Sequence, residues 1–333
     1  MRIQPGSLAA LAVALTMQSA VAAVDVVPAA VFLRGHEVCM LEESAPIRCL
    51  TSDGAAKSPP KWAPDGQRIA YMQMSGLQGM FAQVVVMNDQ GAVQRRMPIG
   101  AAGTDNEGYG MMTTVVGLRW FGTRRVVVEG HLNPSDSEYV ILDPVSGRTV
   151  AEIGDQSEGA GFSADGMHWA VVSGVPHFTR AAATTPTLEI DGRTVLRLKG
   201  GAESFGSRPK WSDDASQVAI LMQRGQDGPL TGLAVGRAAA GPARVFRLPF
   251  ADTEVTLHWC GAEPCVMRKP VDPAPRTDLP GIRPLRAQWW RLRRGTWVPM
   301  SAPARAAPPA PDARRAELVE QARRLGVVDA DFR

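Results

Sequence analysis

Residues 60–71 read PKWAPDGQRIAY and decide the fold. Trp62 ends one short strand, Pro64-Asp65-Gly66 forms a tight turn, and the alternating run that follows begins a second strand. Proline presets the backbone angle of such a turn, aspartate can bond the turn's own amides, and glycine tolerates a positive φ. The stretch therefore predicts two strands joined by a tight turn.

The same unit recurs four times along the chain in weaker form. Its aromatic anchors are Trp62, Trp120, Phe162, Trp211 and Trp259. Successive anchors lie about 40 to 60 residues apart, which is the length of a four-stranded propeller blade. Each unit continues with alternating β-branched runs that Gly, Asp and Pro turns separate, and residues 24 to 300 lack helical periodicity.

Three strand-like runs precede the first anchor: AVFLRG, EVCMLE and PIRCLT. They match the last three strands of a blade, so five full units and this fragment predict an all-β, six-bladed β-propeller of four-stranded blades with a short C-terminal helix. A ring must close because an open end leaves unpaired sheet edges. The missing strand of the fragment is expected from residues 24–28 or from the C-terminal tail.

The repeat Trp-x-Pro-Asp-Gly-x-x-Ile-Ala, followed by a strand of the type VVMND, resembles the WD40-like repeat of TolB-like six-bladed propellers. A similar repeat occurs in the non-catalytic propeller of prolyl-oligopeptidase-like enzymes. The resemblance covers roughly residues 30 to 300. It implies an envelope protein as partner, such as a peptidoglycan-associated lipoprotein. The TolB family carries an N-terminal α/β domain before its propeller, and we expect no such domain here.

The N-terminus has the features of a signal peptide. Arg2 supplies positive charge, residues 8–17 (LAALAVALTM) form an apolar core, and small residues precede a cleavage point after Ala22 or Ala23. A membrane anchor is the alternative, but the apolar run is short for a bilayer span. We therefore expect residues 1–23 to be removed and the mature chain to be periplasmic, without membrane insertion.

The mature chain divides into a propeller, residues 24–300, and a tail, residues 301–333. The tail begins with a Pro/Ala linker, after which Asp312 can cap a helix that Gly326 can end. The apolar residues on one face of this helix are Leu318, Ala322 and Leu325. The helix either docks on the propeller or is offered to a partner, and disorder is the third possibility.

Four cysteines, an even number in an exported chain, predict disulfides rather than free thiols. Three pairings are possible, and the local pairs Cys39–Cys49 and Cys260–Cys265 fit best because each would bridge neighbouring strands. A zinc site is excluded by the spacing, since there is no C-x-x-C and no nearby His pair. Both pairs fall in the two blades that close the ring.

The sequence shows no reactive constellation, so we expect no enzyme activity and no cofactor. The segment 161–166 (GFSADG) comes near the G-x-S-x-G elbow but lacks its second glycine. The five histidines form no metal motif. The formal net charge of +3 is too balanced to favour nucleic acid or an anionic membrane.

Two long interruptions of the repeat are the candidate partner-binding regions, since long loops on a rigid scaffold often bind ligands. One spans residues 100–115, and the other spans residues 267–288. The candidate residues in and beside them are Asp105, Glu107, Tyr109, Arg276, Arg283, Arg286 and Trp289. The run from Asp105 to Gly108 lacks the alternating spacing of a calcium loop. Trp289 and Trp290 should face opposite ways on a strand, so one of them must leave the blade interior.

Two main functions remain open from the sequence, beside a third in which the chain is an accessory subunit of an envelope complex, tethered through its C-terminal helix. The first is a non-catalytic scaffold, expected to be monomeric, that binds an envelope protein or peptide through its loops or channel mouth. The second is binding or hydrolysis of a sugar or lactone in the central channel, which would require acidic, amide or His groups from several blades.

Overall fold

The computed structural model describes residues 29–43, 45–74, 81–99, 114–133, 136–155, 160–173, 185–199, 202–225, 228–239, 241–252, 254–269, 287–303 and 312–333. The Asp, Glu, Tyr and Arg candidates at positions 105, 107, 109, 276, 283 and 286 lie outside these residues, as does the expected signal peptide. Within them, no helix is long and apolar enough to cross a membrane.

Six antiparallel sheets follow one another along the chain, and each is one blade. Blade one contains β1 (Ala29–Arg34), β2 (Glu37–Glu42) and β3 (Arg48–Cys49); blade two contains β4 (Lys61–Trp62), β5 (Arg68–Met74), β6 (Phe81–Asn88) and β7 (Val93–Pro98). Blade three contains β8 (Thr114–Phe121), β9 (Arg125–Asn133), β10 (Asp136–Asp143) and β11 (Arg148–Asp155); blade four contains β12 (Gly161–Phe162), β13 (Trp169–Ser173), β14 (Thr187–Ile190) and β15 (Arg193–Arg197).

Blades five and six complete the set. Blade five contains β16 (Glu203–Phe205), β17 (Lys210–Trp211), β18 (Gln217–Arg224), β19 (Leu230–Arg237) and β20 (Arg244–Asp252); blade six contains β21 (Val255–Cys260), β22 (Glu263–Arg268), β23 (Gln288–Arg293) and β24 (Thr296–Met300). The tail adds the helix α1 (Ala313–Arg324) and the strand β25 (Asp331–Phe332). The six-bladed architecture expected from the repeats is therefore confirmed.

The tail supplies the innermost strand of blade one. β25 pairs with β1 in the register Ala30↔Phe332 and Val31↔Asp331. The Asp331 carboxylate also accepts the Trp62 backbone N–H at 2.6 Å, so it joins blade one to blade two. The C-terminal end of the chain thus completes the blade that its N-terminal strands begin.

The aromatic anchors all lie on the inner strands, and the tryptophans link one blade to the next. The indole Nε1 of Trp120 donates to Lys61 O, that of Trp211 to Gly161 O, and that of Trp259 to Lys210 O, each at 3.0 Å. Each acceptor immediately precedes the anchor of the previous blade. The buried Nε1 of Trp62 has no hydrogen-bond partner among the residues that the structure describes. Three of the five anchors therefore carry a blade-to-blade hydrogen bond; Phe162 has no donor for one, and the donor of Trp62 beside blade one is not used.

Side chains alternate between the two faces of each strand, so each blade can pack against both neighbours. Five apolar clusters fill the junctions from blade one through blade six. A sixth cluster covers the other face of blade one, but it contains α1 instead of blade six. Its buried members are Ala30, Phe32, Cys39, Leu41, Leu318 and Ala322.

The tail helix therefore docks on the propeller, as one of the alternatives predicted. Its cap residue Asp312 accepts from the Arg314 N–H at 3.0 Å, and Gly326 follows its end with φ +69°. Leu318 and Ala322 are buried, but Leu325 is 52 % exposed, so its expected place on the docked face was wrong. The helix ends at Arg324, and the chain has already left the helical path at Leu325.

Both expected disulfides form between adjacent strands. Cys39 and Cys49 are paired in register on β2 and β3, and Cys260 and Cys265 join β21 to β22. The first bond fastens the outer strand of blade one, and the second fastens the inner strand of blade six. Both blades at the chain ends are thus covalently reinforced.

Candidate functional site

The connections between strands divide the propeller into two sides. Adjacent strands are antiparallel, so connections from second to third strands and from one blade to the next emerge on one side, which we call the loop side. The tight turns between first and second and between third and fourth strands emerge on the other, the turn side. Segments 100–113 and 270–286 both connect strand ends on the loop side. The two predicted binding loops are therefore attached to the same side.

Trp289 is the predicted site residue whose surroundings the structure describes. It lies on β23, its ring is 5.0 Å from that of His258, and it remains partly exposed. Burial lowers the pKa of His258, with a smaller contribution from Lys210. Trp290 points the other way into the junction of blades five and six, 6.1 Å from Phe250. The prediction that the two indoles face opposite ways is confirmed.

A cavity of about 490 Å³ lies between the inner strands of blades two and three and the tail segment that leads into β25. We call it the inner cavity. Its residues are Ser58, Pro59, Lys61, Met72, Val115, Val116, Gly117, Leu118, Asp329 and Ala330. Three distant parts of the chain thus build one concave surface, and the ring-closing tail forms part of its wall.

A β-bulge in β8 opens the apolar wall of this cavity. Val115 pairs with Gly130 and Gly117 pairs with Glu129, so Val116 is an extra residue without a partner on β9. Such a bulge re-aims a side chain, and Val116 is 56 % exposed. A Cβ placed on Gly117 would meet nothing within 4 Å, which shows that space remains beside the bulge.

The inner cavity also carries one positive and one negative side chain. Within the described part of the chain, neither the Lys61 amine nor the Asp329 carboxylate forms a hydrogen bond or an ion pair. Asp329 has a left-handed backbone with φ 54°, which aspartate adopts more readily than most residues. An apolar wall beside two unpaired opposite charges suits a ligand with both apolar and charged groups, such as a peptide segment.

A polar network around Lys57, the residue before Ser58 of the cavity wall, joins blades one and two. The fully buried amine of Lys57 donates to Glu37 Oε2 at 3.3 Å, to Ala55 O at 2.8 Å and to the Asp53 carboxylate. A hydrogen bond from Thr51, followed by bonds from Gly54 and Lys57, lowers the pKa of Glu37. The Lys57 bond likewise lowers the pKa of Asp53. The network holds the segment that leads into the cavity.

The residues that suggested chemistry in the sequence are engaged in local structure. The Ser163 hydroxyl donates to Asp165 at 2.6 Å and accepts the His168 N–H, so it is used within its own turn. The His168 ring lies 2.7 Å from Asp191 and stacks on Trp211. Among the described residues, no three His, Cys, Asp or Glu side chains are grouped closely enough to hold a metal ion.

Sequence reasoning missed the charged residues of the cavity, Lys61 and Asp329. Neither lies in a recognisable motif, and their proximity depends on the return of the tail to the first blade. One local signal was available for the apolar wall. An isolated glycine after a β-branched run, as at Gly117, indicates a bulge.

No family model matches the chain, and no curated protein matches it in sequence. Solved structures do match in fold. The structure of a eukaryotic initiation factor is 12 % identical with a TM-score of 0.49, and the match covers 81 % of this chain and 62 % of that one. TolB from Acinetobacter baumannii is 13 % identical with a TM-score of 0.30, and the match covers 72 % and 60 %.

A third match is the β-propeller domain of the Trilobed protease from Pyrococcus furiosus, described as having an open velcro topology. It is 10 % identical with a TM-score of 0.36, and the match covers 80 % of this chain and 75 % of that one. A prolyl endopeptidase is also similar, and the match covers 35 % of that enzyme's chain. At these identities the matches concern the fold alone.

Proposed function

We propose that this chain is an exported, periplasmic and non-catalytic propeller that binds a protein or peptide of the cell envelope. The inner cavity carries the proposal, because beside the inner strands of the propeller it combines an apolar wall with opposite charges that are unpaired among the described residues. The two long connections join strand ends on the loop side, and we expect them to add contacts to a bound partner.

The disulfides support the cellular location in this proposal. Bonds such as Cys39–Cys49 persist in oxidising compartments, including the periplasm, and are rare in the cytosol. The signal-peptide features of the N-terminal sequence support the same location. Absence of catalysis is part of the proposal and rests on the engagement of Ser163 and His168 in local hydrogen bonds.

Site-specific photocrosslinking in intact cells tests the binding site. A photoreactive residue replaces Val116 on the cavity wall, and a control chain carries it at Val145, which is 71 % exposed on the turn side. We expect a discrete crosslinked partner from position 116, identified by mass spectrometry, and none from position 145. Equal products from both positions, or none from position 116, would contradict the proposal.

Charge variants of the cavity provide the second readout. Lys61→Ala and Asp329→Asn each remove one unpaired charge, and asparagine tolerates the left-handed backbone at position 329. Both variants should fold with an unchanged circular dichroism spectrum and give a several-fold lower crosslinking yield at position 116. An unchanged yield in both variants would show that Lys61 and Asp329 take no part in binding and would contradict the role of these two charges.

A further inference from the structure

A second concave surface lies on the turn side, opposite to the loop side, between blades five and six. It has a volume of about 460 Å³ and we call it the arginine groove. Its floor is apolar, and its edge carries cationic side chains from three strand ends. The residues that define it here are Arg237, Arg244, Phe246, Pro264, Leu292 and Arg294.

The positive charges of the arginine groove are not neutralised. Within the described residues, the guanidinium groups of Arg237 and Arg294 form no hydrogen bond or ion pair. That of Arg244 contacts the Phe246 ring, 5.1 Å from its centroid. Glu263 is the carboxylate among the lining residues, and it lies 3.8 Å from Arg291 outside the groove. Three cations therefore face solvent beside one carboxylate that already has a partner.

The local backbone shows that Arg294 is an unfavourable choice for its turn. Arg294 and Gly295 form the two-residue turn between β23 and β24, with φ values of 50° and 86°. Turns with two positive φ angles favour Asn or Asp before Gly. The matching turn of blade four has that preferred pair, Asp191 and Gly192. The strained backbone at Arg294 is consistent with a function for its side chain.

The turn at Arg294 and Gly295 in blade six contacts blade five and forms part of the groove. A Cβ on Gly295 would lie 3.6 Å from Phe246 Cε1 and 3.9 Å from Arg244 Nη2, so the turn of blade six packs on the side chains of blade five. The Phe246 ring and the buried Leu292 supply apolar contact between the cations. The groove is thus preformed and amphipathic.

We propose that the arginine groove binds an acidic protein segment, in which carboxylates flank an apolar side chain. Guanidinium groups bind carboxylates through paired hydrogen bonds. A lone phosphate would use the cations but not the apolar floor between them, so a segment with both features matches the lining better. This binding site is separate from the inner cavity and lies on the other side of the ring.

Fluorescence anisotropy with a labelled peptide of alternating glutamate and leucine residues tests the proposal. Its glutamine counterpart is the neutral control peptide. The triple variant Arg237→Gln/Arg244→Gln/Arg294→Gln should bind the acidic peptide at least tenfold more weakly. The control triple Arg34→Gln/Arg148→Gln/Arg197→Gln removes the same charge from exposed positions and should stay within twofold of the parent chain.

The other outcomes decide against the proposal. Equal losses in both triple variants would show that general charge, not the groove, attracts the peptide. Displacement of the peptide by inorganic phosphate at equal concentration would show a site for lone anions. Binding of the glutamine peptide as tightly as the acidic one would remove the role of the arginines.

Arg294→Asn separates binding from folding. Asparagine suits the turn, so we expect this variant to melt at a higher temperature and to bind the acidic peptide more weakly. The conservative variant Arg294→Lys keeps the charge and should retain part of the affinity. A variant that gains stability and loses no affinity would show that Arg294 has no part in binding. Lys61→Ala should leave this binding unchanged, which distinguishes the groove from the inner cavity.

Discussion

The junction between blades five and six differs from the junction between blades six and one. At the first, buried side chains of both blades pack directly, among them Leu221, Leu233 and Val266. At the second, blade one packs against α1, and the facing side of blade six keeps Trp289 partly exposed and Val298 43 % exposed. Blades five and six pack on each other directly, whereas the outer apolar face of blade one is covered by a helix.

This difference follows from connectivity. Blades five and six are tethered by the short connection between β20 and β21, so little chain entropy is lost when their faces meet. The last blade and the first are separated by the whole ring, and the tail must return to join them. Helix α1, β25 and the disulfide Cys39–Cys49 all act on blade one. Blade one should therefore depend on these additions for its stability more than its neighbours do.

Removal of residues 325–333 should have the largest effect. It deletes β25, exposes the edge of β1 and removes the bond between Asp331 and the Trp62 N–H. Since burial of one large apolar side chain contributes about 1.5–3 kcal/mol, we expect a loss of roughly 5 kcal/mol or more in the free energy of unfolding. Urea denaturation measures it. The control is Val328→Ala, at a position 74 % exposed, and a truncated chain as stable as this control would contradict the closing role of β25.

The helix contact is tested by a pair of adjacent residues. Leu318 is fully buried against blade one, and Val319 is 44 % exposed. Leu318→Ala should lower the free energy of unfolding by about 2–5 kcal/mol, because it leaves a cavity under the helix. Val319→Ala should change it by no more than about 0.5 kcal/mol. Similar effects of the two changes in thermal denaturation would mean that the helix does not support blade one.

The same contrast explains what the sequence could predict. The number of blades and their anchors could be predicted from the sequence because each anchor, such as Trp211, is adjacent in sequence to its own turn. The cysteine pairs were readable because both partners lie on neighbouring strands. The two residues of β25 could not be predicted as a strand, because a strand so short has no periodicity. Its pairing also depends on Ala30 and Val31, some 300 residues earlier.

The site was less predictable than the fold for the same reason. The inner cavity combines Lys61, Val116 and Asp329, which meet only after the ring has formed. The arginine groove combines Arg237 and Arg294, which come from separate hairpins. Residues that meet through long-range packing leave no spacing pattern in a single sequence. Local periodicity also gave one wrong prediction, because Leu325 fits the helical period but lies beyond the end of α1.

The polar network at the junction of blades one and two predicts a pH effect. The pKa values of Glu37 and Asp53 are lowered in the folded chain, so their contribution is complete above the ordinary carboxyl range and is lost as the pH falls through the folded values. Lys57→Met removes the shared donor and should cost about 1–3 kcal/mol at pH 7. The difference between this variant and the parent chain should shrink as the pH falls from about 6 to about 2. A pH-independent difference in urea midpoints would show that the carboxylates do not stabilise this junction.

The smallest expected effect is the difference in stability between two variants of inner-strand tryptophans, Trp211→Phe and Trp62→Phe. Trp211→Phe deletes an indole donor bonded to Gly161 O, and Phe at an anchor position is compatible with the fold because Phe162 already fills one. We expect a loss of about 1 kcal/mol from the hydrogen bond, and more if the carbonyl stays unsatisfied. Trp62→Phe removes an Nε1 that has no partner, so the hydrogen-bond component should be absent. Both changes remove similar ring area, but Trp62→Phe also weakens the Arg333 contact, 4.3 Å from the ring centroid, and Trp211→Phe weakens the stacking with His168. A larger loss in Trp211→Phe than in Trp62→Phe therefore indicates a net contribution from the blade-to-blade bond. If Trp211→Phe loses no more stability than Trp62→Phe in urea denaturation, the blade-to-blade bond adds nothing beyond these ring contacts.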